Sequence, residues 1–398
     1  MNLLALAERW GEALTSKPFG FAADRCLHTK DKFATCTACY DICPVNAIQP
    51  RKPPTFVSEN CQTCRACLAV CPVNAFVADD EAQALLNCAK QLDVQTCEIV
   101  CGLNPDAAVG SPAAATAVRV RGCLAGLSAD TYLALVGQDI TKAIVRLDAC
   151  ADCPWGSLQT QVETQVQQAQ DLLAAWGRAE TITCQHKAAD SYRKRPLFNA
   201  SSPPVSRREL FRWREAEEKP TTEPDRVVNP HPFQKRLRFL QGVRQLALLA
   251  AMEADASLSG WNFALADVND ECTACGVCAR TCPTGALQLE TAVSTYKLTF
   301  SPQICIACDI CAHVCAPQAI TLTHDPTFAQ VFDAATEQIV QTGSLQTCSK
   351  CHTRFAAHSE TQLCPICTFR RQNPFGSAMP PGFAASQANL PQTGRKSS

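Results

Sequence analysis

The spacing of the cysteines constrains this chain more than any other feature. The sequence holds 27 cysteines in 398 residues, and most of them lie two or three residues from the next. A disulfide framework needs no such local spacing, whereas thiolates that converge on one small inorganic core must lie close together in the chain. The spacing therefore predicts reduced cysteines and a chain that folds around metal centres.

A repeated motif arranges many of these cysteines in two pairs of runs. The segments CPVNAI, CPVNAF, CPTGAL and CAPQAI begin at Cys43, Cys71, Cys282 and Cys315, and each closes a tight cysteine run. The copies lie near residues 20–80 and 265–325. Internal repetition of this kind predicts two copies of one structural module.

Three of the four runs have the complete spacing C-x2-C-x2-C-x3-C. They begin at Cys61, Cys272 and Cys305. These runs resemble those of bacterial two-[4Fe–4S] ferredoxins, in which three cysteines of a run bind one cluster and the fourth completes the cluster of the partner run. The resemblance implies two ferredoxin-like modules with two [4Fe–4S] clusters each. Three of the implied ligand sets are Cys43, Cys61, Cys64 and Cys67; Cys272, Cys275, Cys278 and Cys315; and Cys282, Cys305, Cys308 and Cys311.

The first run departs from this pattern, because Phe33 stands where the leading cysteine belongs. We expect Cys26, ten residues before Cys36, to replace it on a longer loop. The fourth ligand set is then Cys26, Cys36, Cys39 and Cys71. The alternative is a three-iron cluster with Cys26 free. The last run has its proline one place late, at Pro317, and we expect its ligands to be retained.

A further pair of cysteine knuckles lies near the C-terminus. Cys348 and Cys351 form the first knuckle, and Cys364 and Cys367 form the second. The pair resembles a zinc ribbon, which implies one structural zinc ion in a tetrahedral four-cysteine site. A rubredoxin-like iron site is the alternative, since iron accepts the same geometry. Few basic residues lie nearby, which favours docking on protein over nucleic acid.

Strand and helix patterns alternate between the two modules and predict a small α/β domain. We expect strands near 118–120, 144–147 and 181–184, and helices over 128–136 and 157–176. Cys123, Cys150 and Cys153 each follow a predicted strand, and Cys101 follows Ile99-Val100. Because strand ends of an open α/β sheet share one crevice, these four are candidates for a fifth centre.

The alternative for these four cysteines is that they are buried free thiols. The layout is loosely similar to the cluster-binding delta subunits that link hydrogenases to heterodisulfide reductases. Three cysteines remain, and we expect them to pack as small apolar side chains. They are Cys88, Cys97 and Cys184.

We therefore predict a multidomain chain of the α+β and α/β classes. Its predicted parts are a two-cluster ferredoxin module (1–80), a small α/β domain with a candidate metal site (81–186), a charged, proline-rich linker (187–236), a second ferredoxin module (237–330), a zinc-ribbon-like domain (331–373) and a disordered tail (374–398). A helix over 237–252 is expected to lead into the second module.

Charge and hydropathy exclude several classes of function. The net charge is −1 and the pI is about 6.6, which gives no bulk attraction to nucleic acid. The sequence has no apolar run of eighteen residues and no pattern typical of a signal peptide, so we expect a cytoplasmic protein without a transmembrane segment.

These features predict an electron-transfer subunit of a larger oxidoreductase, such as a hydrogenase, formate dehydrogenase or heterodisulfide-reductase-like assembly. No flavin or nicotinamide fingerprint is recognised in the sequence. One alternative is a reductase whose middle-domain cysteines or metal site turn over a disulfide or small substrate. Another is a redox-sensing interaction protein that docks through the ribbon. The cysteine spacing leaves open the electron donor, the acceptor and the direction of flow.

Overall fold

The computed structural model describes residues 19–32, 34–187, 193–202, 231–250, 255–332, 336–356 and 362–373. The chain divides into two compact units, residues 1–253 and 254–398. The predicted tail (374–398) and most of the predicted linker lie outside the described residues. Within the described part of the chain, no helix is both long and apolar enough to cross a membrane.

The first ferredoxin-like region is built from very short elements. Strands β1 (Gly20–Phe21) and β4 (Phe76–Val77) pair antiparallel, as do β2 (Ile48–Gln49) and β3 (Thr55–Phe56). One-turn helices follow or contain the cysteines: α1 (Leu27–Lys30), α2 (Ala38–Asp41) and α3 (Ala66–Val70). The rings of Phe19, Phe56 and Phe76 lie 5.5–6.1 Å apart between their centroids. So small an apolar core predicts dependence on bound metal for stability.

A parallel sheet forms the centre of the rest of the first unit. The helices and strands of this part of the unit are α4 (Glu81–Leu92), β5 (Thr96–Val100), β6 (Val109–Gly110), β7 (Thr116–Arg119), α5 (Ala129–Val136), β8 (Lys142–Arg146), α6 (Gln159–Leu173), β9 (Ile182–Gln185), β10 (Arg193–Lys194) and β11 (Leu197–Asn199). Five of the strands pair in parallel, in the order β11-β7-β5-β8-β9. The apolar residue Ile99 on central β5 is paired with Val118 and Val145, and all three are fully buried. Strands β7, β8 and β9 overlap the three segments for which the sequence predicts strands.

The sheet extends into the predicted linker, which corrects the boundary at residue 187. Residues 193–199 form β10 and β11, and β11 pairs with β7 at the edge of the sheet. Arg195, between these strands, is 6% exposed and pairs with the fully buried Glu98 of β5. A buried carboxylate requires a cationic partner, and this one lies 97 residues away, where sequence pattern cannot identify it.

The helix predicted to lead into the second module belongs to the first unit instead. It runs as α7 (Gln234–Leu249). Its Arg238 pairs with Asp80 at 2.8 Å and Asp130 at 2.9 Å. A β-carbon on Gly242 would lie 3.0 Å from the Cα of Ala134, so the glycine permits close packing against α5. Asp80 and Asp130 precede Arg238 by more than a hundred residues. Sequence proximity therefore suggests a helix of the second module, whereas these contacts place it in the first unit.

The second unit is organised around antiparallel strands. Its elements are β12 (Ala264–Val268), α8 (Val277–Thr281), β13 (Leu287–Thr291), β14 (Thr295–Phe300), α9 (Ile310–His313), β15 (Ile320–His324), α10 (Phe328–Phe332), β16 (Gln338–Thr347), β17 (Arg354–Ala356) and α11 (Pro365–Gln372). Strand β12 pairs with β15, and the other strands form a sheet in the order β13-β14-β16-β17. Leu298 and Phe300 are buried in its apolar core. The strands of the predicted ribbon thus continue the sheet of the ferredoxin-like region.

Candidate metal centres

The three complete cysteine runs share one backbone conformation. The residues on either side of the second cysteine have φ between 51° and 67°. These pairs are Thr63 and Arg65, Ala274 and Gly276, and Ala307 and Asp309. Left-handed residues are costly unless glycine, and their recurrence at equivalent positions marks a functional loop. Such turns form concave nests of backbone N–H groups, which suit an anionic iron–sulfur core.

The repeated motif that closes each run has its own physical basis. Its fourth residue has positive φ in every copy, at Asn46, Asn74, Gly285 and Gln318. The turn aims the amide of the following alanine back at the cysteine sulfur in three copies. The N···Sγ distances are 3.3 Å for Ala47 and Cys43, 3.2 Å for Ala75 and Cys71, and 3.3 Å for Ala319 and Cys315. In the remaining copy, the Ala286 amide donates to Thr284 Oγ1, which lies 3.5 Å from Cys282 Sγ. Hydrogen bonds to sulfur are one of the factors that set cluster potentials.

The first run lacks this nest as well as its leading cysteine. Thr37, which corresponds to Arg65 of the next run, has φ of −120°. Cys26 lies instead at the start of α1, and His28 of the same helix donates from Nε2 to the Cys36 carbonyl oxygen at 2.7 Å. The histidine thus ties the segment that carries Cys26 to the first run. Sequence reasoning missed this role of His28, which only the fold reveals.

The predicted outer N-terminal set consists of Cys26, Cys36, Cys39 and Cys71, whose charges act on one another. Burial raises the pKa of Cys39 to about 12, and the charges of the other three thiolates add to that effect. Three of these cysteines precede or belong to the first run, whereas Cys71 closes the second.

The predicted inner N-terminal set consists of Cys43, Cys61, Cys64 and Cys67, whose charges likewise act on one another. Burial raises the pKa of Cys67, and the thiolates of Cys64, Cys61, Cys71 and Cys43 add to it. Thiols on neighbouring loops, with the Ala47 amide aimed at the Cys43 sulfur, fit an anionic iron–sulfur core whose binding releases thiol protons.

A cation lies beside both N-terminal sets. Lys235 of α7 donates from Nζ to the carbonyl oxygens of Leu68 and Ala69, at 2.9 and 2.8 Å. Burial lowers the pKa of Lys235, and the nearby thiolate of Cys71 opposes that shift. The lysine also lies near enough to Cys36 to lower the pKa of that thiol, which burial raises overall. No local sequence signal could have connected this lysine with cysteines more than 160 residues earlier.

The second unit has two corresponding groups of thiols. Burial raises the pKa of Cys278 to about 12, with contributions from Cys275, Cys272 and Cys315. The pKa of Cys308 is likewise raised to about 12 by burial, and Cys305 and Cys282 contribute. In each case one of the contributing thiolates, Cys315 or Cys282, is the last cysteine of the other run.

An aromatic residue contacts the first of these groups. Burial raises the pKa of Tyr296 to about 12, and the thiolate of Cys272, its hydrogen-bond partner, adds to the effect. The Tyr296 ring packs against Gly343 of β16, where a β-carbon would lie 2.8 Å from the ring. The glycine thus lets the ribbon strand hold the tyrosine beside the cysteine.

The C-terminal cysteines form a tighter group. The sulfurs of Cys348, Cys351, Cys364 and Cys367 all lie within 4.8 Å of one another. With Zn–S bonds of about 2.3 Å, sulfurs of a tetrahedral site lie roughly 3.8 Å apart, so this group suits a single ion. A hydrogen bond from the Cys364 amide, at 3.3 Å, is the main cause that lowers the pKa of Cys348 to about 6. No other group of potential ligands in the described ranges has so close a spacing.

The four candidate cysteines of the α/β region line one recess, which we call the sheet recess. It holds about 470 Å³ of space, counted to its open mouth, and its lining includes Cys101, Cys123, Cys150 and Cys153. These residues follow β5, β7 and β8 at their carboxyl ends. The chain forms β7 on one side of β5 and β8 on the other, and such a switch of direction is where open α/β sheets bind ligands.

The three remaining cysteines lie apart from the recess lining. Cys88 and Cys97 are fully buried, in α4 and β5. Cys184 is half-buried in β9, and burial raises its pKa to about 11. The burial of Cys88 and Cys97 agrees with the expectation that they pack as small apolar side chains.

Comparison with known families identifies two segments of the chain. Residues 34–75 and 271–319 match the family model of the 4Fe-4S dicluster domain. The matches contain the cysteines that begin the four repeated motifs and, of the predicted ligands of the four [4Fe–4S] clusters, all except Cys26. Both segments are thus similar to domains that hold two [4Fe–4S] clusters, which supports iron–sulfur electron transfer. A search of curated proteins finds no match to the chain.

Proposed function

We propose that this chain is an electron-transfer protein with four [4Fe–4S] clusters that serves as a subunit of a larger oxidoreductase. The observation that carries the proposal is the grouping of thiols within the two regions that match the dicluster family. In the proposed ligand sets, each group takes its last member from the partner run, as the resemblance to two-cluster ferredoxins implies. When bound, the clusters accept and release single electrons with little structural change.

The proposed ligands are the outer N-terminal set, the inner N-terminal set and two sets of the second unit. The latter are Cys272, Cys275, Cys278 and Cys315, and Cys282, Cys305, Cys308 and Cys311. The surrounding chain binds and tunes these centres in ways that the contacts support. Backbone amides donate to the closing cysteines, and Lys235 supplies positive charge near Cys71. A positive charge beside a centre favours its reduced form, because that form is the more negative.

The C-terminal group is proposed to hold one zinc ion as a structural clamp. Its support is the spacing of the four sulfurs within 4.8 Å and the lowered pKa of Cys348. In the surrounding structure, β16 pairs with β14 and the Ala356 amide donates to the Thr273 carbonyl oxygen at 3.1 Å. A metal that orders this region would therefore also brace the loop that carries Cys272 and Cys275.

The proposed partners are the catalytic subunits of a hydrogenase, formate dehydrogenase or heterodisulfide-reductase-like complex. The support is chemical: several one-electron centres in one chain suit the passage of electrons between partner proteins. Isolation of the native complex and identification of its other chains tests this assignment. The purified chain alone should not reduce artificial electron acceptors. It should do so only after a catalytic partner has been added.

Metal content tests the cluster assignment directly. Anaerobically reconstituted protein should contain at least about 16 iron atoms, four for each [4Fe–4S] cluster, and one zinc ion. Its broad absorption near about 400 nm should bleach with dithionite, as expected for iron–sulfur clusters. Fewer than about eight iron atoms after reconstitution would contradict four clusters.

A matched pair of variants separates ligands from packing residues. Cys67→Ser should alter or remove one cluster, whereas Cys88→Ser should leave the iron content unchanged, although both side chains are buried. Equal iron loss in both variants would show that damage to the fold, not loss of a ligand, caused it.

Turnover of a disulfide by the isolated chain with dithionite alone would favour the reductase alternative. A change in partner binding after oxygen has destroyed the clusters would favour the alternative of a redox-sensing interaction protein.

A further inference from the structure

The sheet recess gathers four thiols that the proposed ferredoxin-like and C-terminal centres do not use. Cys101, Cys123, Cys150 and Cys153 come from three loops, and all four are free and half-buried. The loops follow the neighbouring strands β5, β7 and β8, and all four thiols line the same recess. Convergence of four thiols from separate loops is a geometry that packing alone does not require.

The loops that carry these thiols are closely packed. The Gly102 amide donates to the Gly122 carbonyl oxygen at 3.0 Å, and a β-carbon on Gly102 would overlap the carbonyl oxygen of Arg121. Cys150 and Cys153 share one turn, in which the Cys153 amide donates to the Cys150 carbonyl oxygen at 3.2 Å. A β-carbon on Gly156 would lie 2.6 Å from that same oxygen. Glycine at 102 and 156 thus permits the approach that brings the cysteines together.

The chemistry of the recess suits a thiolate-bound metal centre. Besides the cysteines, its walls include the apolar side chains of Leu124, Leu158 and Val162. An all-thiolate donor set selects zinc, copper(I) or an iron–sulfur cluster, and an apolar wall limits access of water.

The spacing of the thiols discriminates among these metals. Only the C-terminal group, among the residues that the structure describes, has three or more ligand atoms within 4.8 Å of one another. The recess thiols are therefore spread more widely than a single ion requires, as are those of the four ferredoxin-like groups. This wider arrangement favours a polynuclear centre.

One loop of the inner N-terminal set lies directly beside the recess. Trp155, which lines the recess, donates from Nε1 to Gln62 Oε1 at 2.9 Å. Arg65, which directly follows Cys64 in the same loop, pairs with Glu81 at 2.8 Å. The Gly122 amide donates to that same carboxylate. These contacts fix the loop with Cys61 and Cys64 against the loop with Cys123.

We propose that Cys101, Cys123, Cys150 and Cys153 bind a fifth iron–sulfur cluster, placed to exchange one electron with the cluster of the inner N-terminal set. In that exchange one cluster is oxidised by one electron while the other is reduced by one, and no bond is made or broken. The electron-exchange part rests on the proposed function, whereas the binding part depends only on the recess. The centre gives the α/β region a redox role in addition to its structural role.

The test compares Cys150→Ser and Cys153→Ser with the control Cys184→Ser in the full-length protein. Cys184 is a half-buried cysteine of the same sheet that is absent from the recess lining. After anaerobic reconstitution with iron and sulfide, each recess variant should contain about two to four fewer iron atoms than the wild type. The control should lose none. Circular dichroism and the metal content of the other centres establish that each variant is folded.

EPR of the reduced protein provides a readout that does not depend on activity. Spin–spin broadening of the inner N-terminal cluster should be present in the wild type and diminished in both recess variants. Unchanged iron content in folded Cys150→Ser and Cys153→Ser would overturn the proposal, as would loss of one zinc ion in place of iron. Loss of the recess iron without any change in broadening would overturn the electron-exchange part alone. Failure of the ferredoxin-like sets to bind iron, with recess iron retained, would refute the proposed function and leave the fifth site standing.

Discussion

Replacement of Glu98 by glutamine should open the parallel sheet of the first unit. Glu98 lies on central strand β5 with a fully buried side chain. Its Oε2 pairs with Arg146 at 3.0 Å and with Arg195, while its Oε1 accepts from the Ser111 amide at 2.7 Å. With Asp148, which also pairs with Arg146, the cluster contains two positive and two negative groups. Glu98→Gln keeps the shape and the Ser111 contact but leaves one buried positive charge uncompensated.

The expected cost follows from the desolvation of that charge. Removal of one partner from a buried ion pair destabilises a protein by about 3–5 kcal/mol. We expect a value in this range and not twice it, because Arg146 retains Asp148 and the Val109 carbonyl oxygen. Since a factor of ten corresponds to about 1.4 kcal/mol, opening of the sheet should increase by roughly a hundredfold or more.

Hydrogen exchange measured by mass spectrometry provides the assay, since it reports local opening in a chain with two units. Peptides that cover β5 and β8 should exchange faster in Glu98→Gln by the stated factor. The control is Glu290→Gln, which removes an exposed partner of Lys297 in the second unit, and such surface pairs contribute about 1 kcal/mol or less. An acceleration of less than about tenfold in β5 of Glu98→Gln would refute the assigned role of the buried cluster.

Three further predictions concern the metal centres. Cys26→Ser should convert the outer N-terminal cluster to a three-iron form with its own EPR signal, and an unchanged spectrum and iron count would show that Cys26 is not a ligand. Cys364→Ser should release one zinc ion and speed hydrogen exchange over residues 348–373 with iron unchanged; loss of iron in place of zinc would support the rubredoxin-like alternative. Lys235→Met removes a positive charge that favours the reduced form of a nearby cluster, so the midpoint potential of an N-terminal cluster should fall. The fall should be tens of millivolts if the charge of Lys235 interacts with the cluster by on the order of 1 kcal/mol. The exposed Lys142→Met should leave redox titrations unchanged, and equal shifts in the two variants would contradict a specific effect of Lys235.

Several features of the candidate sites could be predicted from sequence because they depend on local spacing. Cysteines three residues apart lie on one loop whatever surrounds them, so the complete runs and the C-terminal knuckles stand out in the sequence. The positive φ at Asn46 and Asn74 explains why the closing motif favours residues that tolerate a left-handed turn. Patterns of strand and helix likewise indicated the α/β region, since periodicity reflects which face is buried.

Contacts between distant segments could not be predicted in this way. The sequence indicated neither that Lys235 lies beside the N-terminal sets nor that Arg195 compensates Glu98, because each depends on segments far apart in the chain. For the same reason, sequence pattern alone places residues 193–199 in a linker and the helix α7 with the second module, whereas both belong to the first unit.

The sheet recess shows most clearly what each level determines. The sequence by itself determined that Cys123, Cys150 and Cys153 follow strands, because strand pattern is local. Only the tertiary structure decided that these strands are neighbours, in the order β7-β5-β8, and that the loop with Cys64 is joined to the loop with Cys123 through Glu81. The physical reason is that strand order follows from the burial of side chains such as Ile99, Val118 and Val145 in one shared core, and no single segment specifies that core.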